Sequence, residues 1–435
     1  MLRYFVLLIS TLCLTSIFAN SALFHFTVIC IKSSEVSSNE TNQSGFTHYQ
    51  ESALFGAISI GRIIGSFPAV TLLRLLGLRK SFAIFGAFSG IGTIAVPLLG
   101  GDFHVLFVDR IMQGIAMASA FVALGVIPLE YGNDNEKNLF VSLMTCSMQL
   151  GAFLIMPTSG LFCNSSLGWQ GAYFLSGLLT FLLFTAFFLV YTNDPNKIKK
   201  HFSNKEEPVD TIVSLPKTAA EKNHRVPYCS IVSSPSFWGI MIVAFGDTIG
   251  YHVFLQYGPI YINKVLNFSI TQTGFLSALP YLISIGTKAL GGFFLDRATC
   301  IKERLRILLF TSLSQAAMTV CFVVLTQITH NMALIGHLML TLMMVFSGLA
   351  YIGLMSGSQI ISRQYNYIVT SASSIQDSIA GLLVPALVAV VAPNYDKDEW
   401  RVVFYILIGF LIVSNASFVI LTKVKPAKWT KQDGN

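Results

Sequence analysis

Charge is what this chain has least of. Only 11% of its 435 residues are Asp, Glu, Lys or Arg, against about 25% in a soluble globular domain. Hydrophobic residues make up 53% and the mean hydropathy is +0.65. So little charge cannot cover a water-facing surface, and lipid has to cover the rest. Metal and redox patterns are missing too. Cys13, Cys30, Cys146, Cys163, Cys229, Cys300 and Cys321 are scattered without a CxxC or a His-paired spacing, and in apolar runs such thiols read as small packing residues. His25, His330 and His337 form no metal-binding spacing. There is no GxSxG elbow, P-loop or HExxH, so neither a hydrolase nor an ATP-driven pump is supported, and no cofactor is expected. The formal charge of +7 invites a nucleic-acid reading, but the placement of the charge excludes it.

What the chain does have is long apolar runs. Twelve fit helices of about 20 residues: 4–30, 50–73, 81–100, 104–128, 138–161, 169–191, 235–258, 271–295, 306–328, 333–357, 367–392 and 400–422. The first has Arg3 before an apolar core, as a signal peptide would, yet it is long enough to span and lacks a small-residue cleavage site. One polar stretch interrupts the pattern, a basic segment from Tyr191 to Val226 broken by Pro195, Pro208 and Pro216. The expected organisation is an N-terminal bundle over 1–192, a cytoplasmic linker over 193–232, and a C-terminal bundle with its tail over 233–435. Most lysines and arginines fall on the linker's side. Only Lys32, Lys264, Lys397 and Arg401 fall on the other, and Arg62, Arg110 and Lys288 lie inside apolar runs. This is the positive-inside bias, and it predicts both termini in the cytoplasm. Sequons agree: Asn39 and Asn42, in the first outer loop, are the expected glycosylation sites.

The halves echo each other. Trp169-Gln-Gly-Ala-Tyr-Phe opens the sixth span and Trp400-Arg-Val-Val-Phe-Tyr the twelfth. Arg74, Gly77, Arg79 and Lys80 follow the second span, as Gly292, Asp296 and Arg297 close the eighth. A repeated six-helix unit is the plan of major facilitator transporters, whose solute site lies between halves at mid-membrane. The fold class expected is therefore all-α: twelve transmembrane helices in two pseudo-symmetric six-helix bundles. The two charged turns resemble the facilitator loop signature and would form a cytoplasmic latch that opens as the halves rock. Leu73 stands where the first copy usually has its acid.

Further text narrows the resemblance. Arg110-Ile-Met-Gln113-Gly114, Glu136-Lys137, Gly168-Trp169, Gly258-Pro259-Ile-Tyr261, Leu276-Ser-Ala-Leu-Pro280-Tyr281 and Glu399-Trp400-Arg-Val-Val-Phe404-Tyr405 occur in order. Together they resemble the anion:cation symporter family of vesicular glutamate, sialic acid and type I sodium–phosphate transporters. The resemblance implies secondary active transport of an organic or inorganic anion, coupled to H⁺, Na⁺ or membrane potential. It also implies an anion-facing arginine at Arg110, whose planar donors suit carboxylate or phosphate. Gln113, one turn on, shares that face.

Departures limit the carry-over. Asn20 stands near a position where the family often has arginine, Met117 where an acid is expected, and Gly125 where histidine is common. Other ionisable groups are candidates for the coupling role: Asp247, Asp377, Arg62 and His252, with Asp247 expected to carry a proton or to pair with Arg62 or Arg110. Asn20 and Tyr257 are expected, with Arg110 and Gln113, to contact the solute; Tyr257 and Tyr261 also suit an aromatic outer gate, and Lys288 reads as a snorkelling cation. The reading is a twelve-helix carrier, expected to be monomeric, for a small anionic solute, with H⁺ or Na⁺ and the bilayer as partners. It sits in the plasma membrane or an endolysosomal or vesicular one. The alternative is a transporter-like receptor or scaffold, or a carrier of neutral or cationic solutes.

Overall fold

The computed structural model describes residues 2–31, 46–131, 140, 143–193, 227–297, 302–328 and 332–430. Asn39, Asn42 and most of the linker lie outside them. Every regular element among the described residues is helical. The first bundle contains α1 (Leu2–Thr27), α2 (His48–Leu98), α3 (Phe103–Tyr131), α4 (Ser147–Cys163) and α5 (Gly168–Val190). A short α6 (Tyr228–Val232) leads into the second: α7 (Pro235–Ile260), α8 (Ile270–Arg297), α9 (Glu303–Thr326), α10 (Ala333–Ser362), α11 (Asn366–Val391) and α12 (Lys397–Leu421).

The second and third spans are separate helices, as expected: they form two arms of α2 that meet at a break at Gly77, which leaves the helical conformation at φ 74° and ψ 166°. That left-handed conformation favours glycine. The turn is pinned from the end of α5, where Asn193 Oδ1 accepts from Arg79 N at 2.9 Å. A Cβ on Gly77 would stand 2.2 Å from Asn193. The start of α2 is set by a capping box, in which Thr47 and Gln50 satisfy each other's backbone N–H.

Counting the arms of α2 separately, eleven described helical segments are long and apolar enough to cross a bilayer. The twelfth, α8, carries Lys288, Asp296 and Arg297 among its 28 residues. That is still about 42 Å of helix at 1.5 Å per residue, enough to cross.

Small residues allow the helices to approach closely. A Cβ on Gly61 of α2 would sit 2.1 Å from Ile111 O, and one on Gly114 of α3 would sit 2.2 Å from Ile58 O. The first arm of α2 and α3 therefore meet backbone to backbone, the close contact expected of glycine in membrane helices. Between bundles, α2 lies against α11 and α4 against α8, while α1 touches α7. In span numbering this pairs 2 with 11 and 5 with 8, the exchange that a two-fold axis between repeated units produces.

Candidate functional site

The bundles close on each other at the end away from the linker. Glu51 and Phe55 of α2 meet Tyr257 of α7, Tyr395 and Trp400. The Tyr395 hydroxyl donates to Glu51 Oε2 at 2.6 Å, the Phe55 and Tyr257 rings lie 4.7 Å apart, and Trp400 is 5.9 Å from Tyr257. His48 Nε2 reaches Val388 O at 3.3 Å, and Asn164 donates to Thr271 at 2.5 Å. Burial, with Tyr257 and Glu51 adjacent, pushes the Tyr395 hydroxyl well above the ordinary tyrosine range, so it remains a donor. A disulfide, Cys30–Cys163, ties the ends of α1 and α4 on this same side. The sequence reading took both cysteines for packing residues. Their shared position at helix ends facing one side was the signal to use.

Below this seal lies a cavity of about 240 Å³, bounded chiefly by α7, α8, α10 and α11, with Phe121 of α3 and Met148 and Gln149 of α4 closing the other wall. A smaller one of about 70 Å³ adjoins it and shares Met148, Tyr251 and Asp377. Four charged side chains line the two: Lys288, Asp247, Arg62 and Asp377.

Arg62 of α2 forms an ion pair with Asp377 of α11, whose other oxygen lies 3.2 Å from His252 Nε2 of α7. This cluster joins the bundles near the middle of the first arm of α2 and of α11. It also corrects an expectation: Arg62 is committed to Asp377, and Asp247 has neither Arg62 nor Arg110 as an ion-pair partner. Asp247 accepts from Ser347 Oγ at 3.2 Å through one oxygen, while its other oxygen has no partner. Lys288 also departs from its expectation of snorkelling. Its ammonium lies on the cavity wall 5.7 Å from the Tyr351 ring. With the Gln149 amide turned to donate to Thr145 O, the Gln149 carbonyl oxygen accepts from Lys288. Nothing in the sequence near Lys288 signals this, because it depends on Gln149 of the other bundle.

The residues expected to bind solute sit elsewhere. Arg110 is fully buried and lines neither cavity. Its guanidinium donates to Ser21 O at 2.5 Å, Leu54 O at 3.3 Å and Gln113 Oε1 at 3.4 Å, contacts His25 Nε2 at 3.4 Å, and lies over the Phe24 ring. Gln113 in turn donates to Asp109 at 2.8 Å and to Thr93 at 3.1 Å. These bonds tie α1, both arms of α2, and α3 together. Asn20 is likewise consumed: it donates to Ser89 and Thr180, each at 3.0 Å, and accepts from Ser176 at 2.5 Å. Tyr257 belongs to the aromatic seal rather than to the cavity.

Of the expected latch, Arg79 turns back into its own bundle, donating to Phe188 O at 2.7 Å over that ring. Lys80 is exposed and Arg74 lies on α2. Gly292, Asp296 and Arg297 lie in the last turns of α8, their side chains outside the described residues.

Two helical bundles that close on each other at one end, above a cavity with charged walls, have the architecture of a membrane carrier. The sequence model of the Major Facilitator Superfamily matches residues 4–366, and the chain belongs to that superfamily. It is a multi-pass membrane transporter and not an enzyme. Among curated proteins, human sialin is 24% identical over 392 residues, covering 87% of this chain and 77% of sialin. Mouse sodium-dependent phosphate transport protein 1 is 23% identical over 332 residues, covering 75% and 70%. These relatives accord with the anion:cation symporter resemblance. Among solved structures, a bacterial homologue of the human lysosomal transporter Spinster, inward-facing and unoccupied, superposes with TM-score 0.72 at 14% identity over 97% of both chains. A D-xylose–proton symporter gives 0.69 at 15%, over 98% and 99%.

Proposed function

We propose that this protein carries a small carboxylate- or phosphate-bearing solute across its membrane by alternating access, in symport with a cation. The observation that carries the reading is Lys288, a half-buried ammonium on the cavity wall with a neutral partner and no ion pair among the described residues. An unpaired intramembrane charge of this kind marks a functional site. Relatives named for phosphate transport and urate export support a solute of negative charge. The four wall charges sum to zero, so a bound monoanion leaves one charge uncompensated in a low-dielectric site. Cotransport of one cation removes that cost.

The Arg62–Asp377–His252 cluster is the coupling centre, and H⁺ is the ion it suits. A coupling cation that competes with Arg62 for the Asp377 carboxylate would loosen the α2–α11 contact, which links ion binding to movement of the bundles. The face with the disulfide and the sequons looks to the outside or a lumen, where disulfides persist, and the linker and both termini face the cytoplasm. The cavity is then inward-facing, in a monomer of the plasma or an endolysosomal membrane.

A second reading is a receptor-like or scaffold protein that no longer moves anions. It is favoured by the consumption of Arg110 and Asn20 in scaffolding. Proteoliposome uptake of labelled phosphate and organic acids, with wild type beside Lys288→Gln, separates the two. Saturable, pH-gradient-driven uptake lost in the variant supports the carrier, and an inert wild type supports the second reading.

A further inference from the structure

Lys288 of α8 and Asp247 of α7 line one cavity, yet neither forms an ion pair among the described residues. Asp247 is 8% exposed and one of its oxygens has no partner. Lys288 has spent one donor on Gln149 and an ammonium has three. Two opposite charges withdrawn from water without touching each other bear the desolvation cost with little direct attraction in return. A ligand that bridges them satisfies both.

We propose that the cavity selects a small zwitterion, with its carboxylate on Lys288 and its ammonium on Asp247. The inference rests on the reading of this cavity as the solute site and adds the solute's second charge. Three further observations support it. The wall charges already balance, so a net-neutral solute adds no uncompensated charge, whereas a second negative group on the solute would meet Asp247. Tyr251 and Tyr351 flank the same space, and aromatic faces attract an ammonium as well as a lysine. The volume of about 240 Å³ falls below the roughly 300–1,000 Å³ of pockets for drug-sized ligands, which suits a short skeleton.

The test is ligand-induced thermal stabilisation of the purified full-length protein. The probes are the unbranched amino acids from glycine to 6-aminohexanoate, their parent carboxylates, the matching alkylamines, and inorganic phosphate. At least one amino acid is expected to stabilise at a concentration tenfold or more below its parent carboxylate. Asp247→Asn should raise that midpoint to the level of the carboxylate, and Lys288→Gln should abolish the response to both. If a carboxylate or phosphate matches every amino acid, or if Asp247→Asn keeps the preference, the zwitterion proposal fails while the anion site stands. If no carboxylate, amino acid or phosphate stabilises the wild type, the reading of the cavity as the solute site fails with it.

Discussion

Two cations within apolar helices sit in opposite bundles of this protein under opposite circumstances. Arg110 in the first bundle is fully enclosed, and carbonyl oxygens, an amide and an imidazole surround its guanidinium. Lys288 in the second faces open volume with a single neutral partner, on the same cavity wall as a carboxylate with one unpartnered oxygen. The sequence makes Arg110 the stronger solute contact, because its planar fork suits an anion and the family resemblance implies that role. The geometry reverses the order. A buried charge whose bonds are all made acts as a tie between helices, and one whose bonds are incomplete is available to a ligand.

The largest effect should come from the contact that sets the frame for both. Gly61→Leu introduces a side chain whose first carbon would stand 2.1 Å from Ile111 O. Backbone cannot give way as a side chain does, so the loss should exceed the about 1–3 kcal/mol of ordinary overpacking. Size-exclusion of the fluorescently tagged protein should show no folded peak. A normal peak would mean that α2 and α3 do not meet there, and the placement of Arg110 against Leu54 would fall with it.

Next, the contrast itself can be broken. Arg110→Gln takes away the side-chain donor of the buried Gln113 Oε1 and the cross-helix ties to Ser21 O and Leu54 O, and a buried unsatisfied group costs about 1–3 kcal/mol. The variant should melt well below wild type while its ligand midpoint stays put. Lys288→Gln should do the reverse. If Arg110→Gln instead retains its melting temperature and loses ligand, the first bundle holds the solute contact after all.

Asp377→Asn should have a smaller, conditional effect. It removes the partner of Arg62 without removing bulk, and the carboxylate it replaces is 32% exposed on the cavity side. That exposure moderates the usual penalty for orphaning a buried charge. Uptake measured against pH should flatten. An unchanged profile would remove the cluster from coupling.

How much was legible beforehand follows from the range of the interactions. The spans and the repeat follow from apolar run length and recurring short motifs, so the sequence displays them. The break between the second and third spans was legible too, because Gly77 with charged residues after it marks a turn, and the chain leaves the helix at that glycine. Lys288 and Asp247 were the hardest. Whether a charge inside a helix is satisfied depends on Gln149 in another bundle and on Ser347 a hundred positions away, and no spacing rule reports either. Cys30 and Cys163 are 133 positions apart, and only the alternation of the spans, which brings both to one side, relates them.

The smallest predicted effect concerns the seal above both cations. Tyr395→Phe deletes one hydroxyl and keeps the ring, which contacts His48 at 5.0 Å and Trp400 at 6.4 Å. The aromatic cluster should therefore survive, and only the hydrogen bond to Glu51 between the bundles is lost. A net bond energy of about 1 kcal/mol is several-fold in the open-to-closed ratio of this end. Labelling of a cysteine placed at Ser52 from the disulfide-bearing side should speed up by that factor. Because burial keeps the Tyr395 hydroxyl protonated, raising the pH through the ordinary tyrosine range should not reproduce the effect in wild type. If alkaline pH does reproduce it, the hydroxyl is accessible to water, and the seal is looser than the ring contacts and the Glu51 bond require.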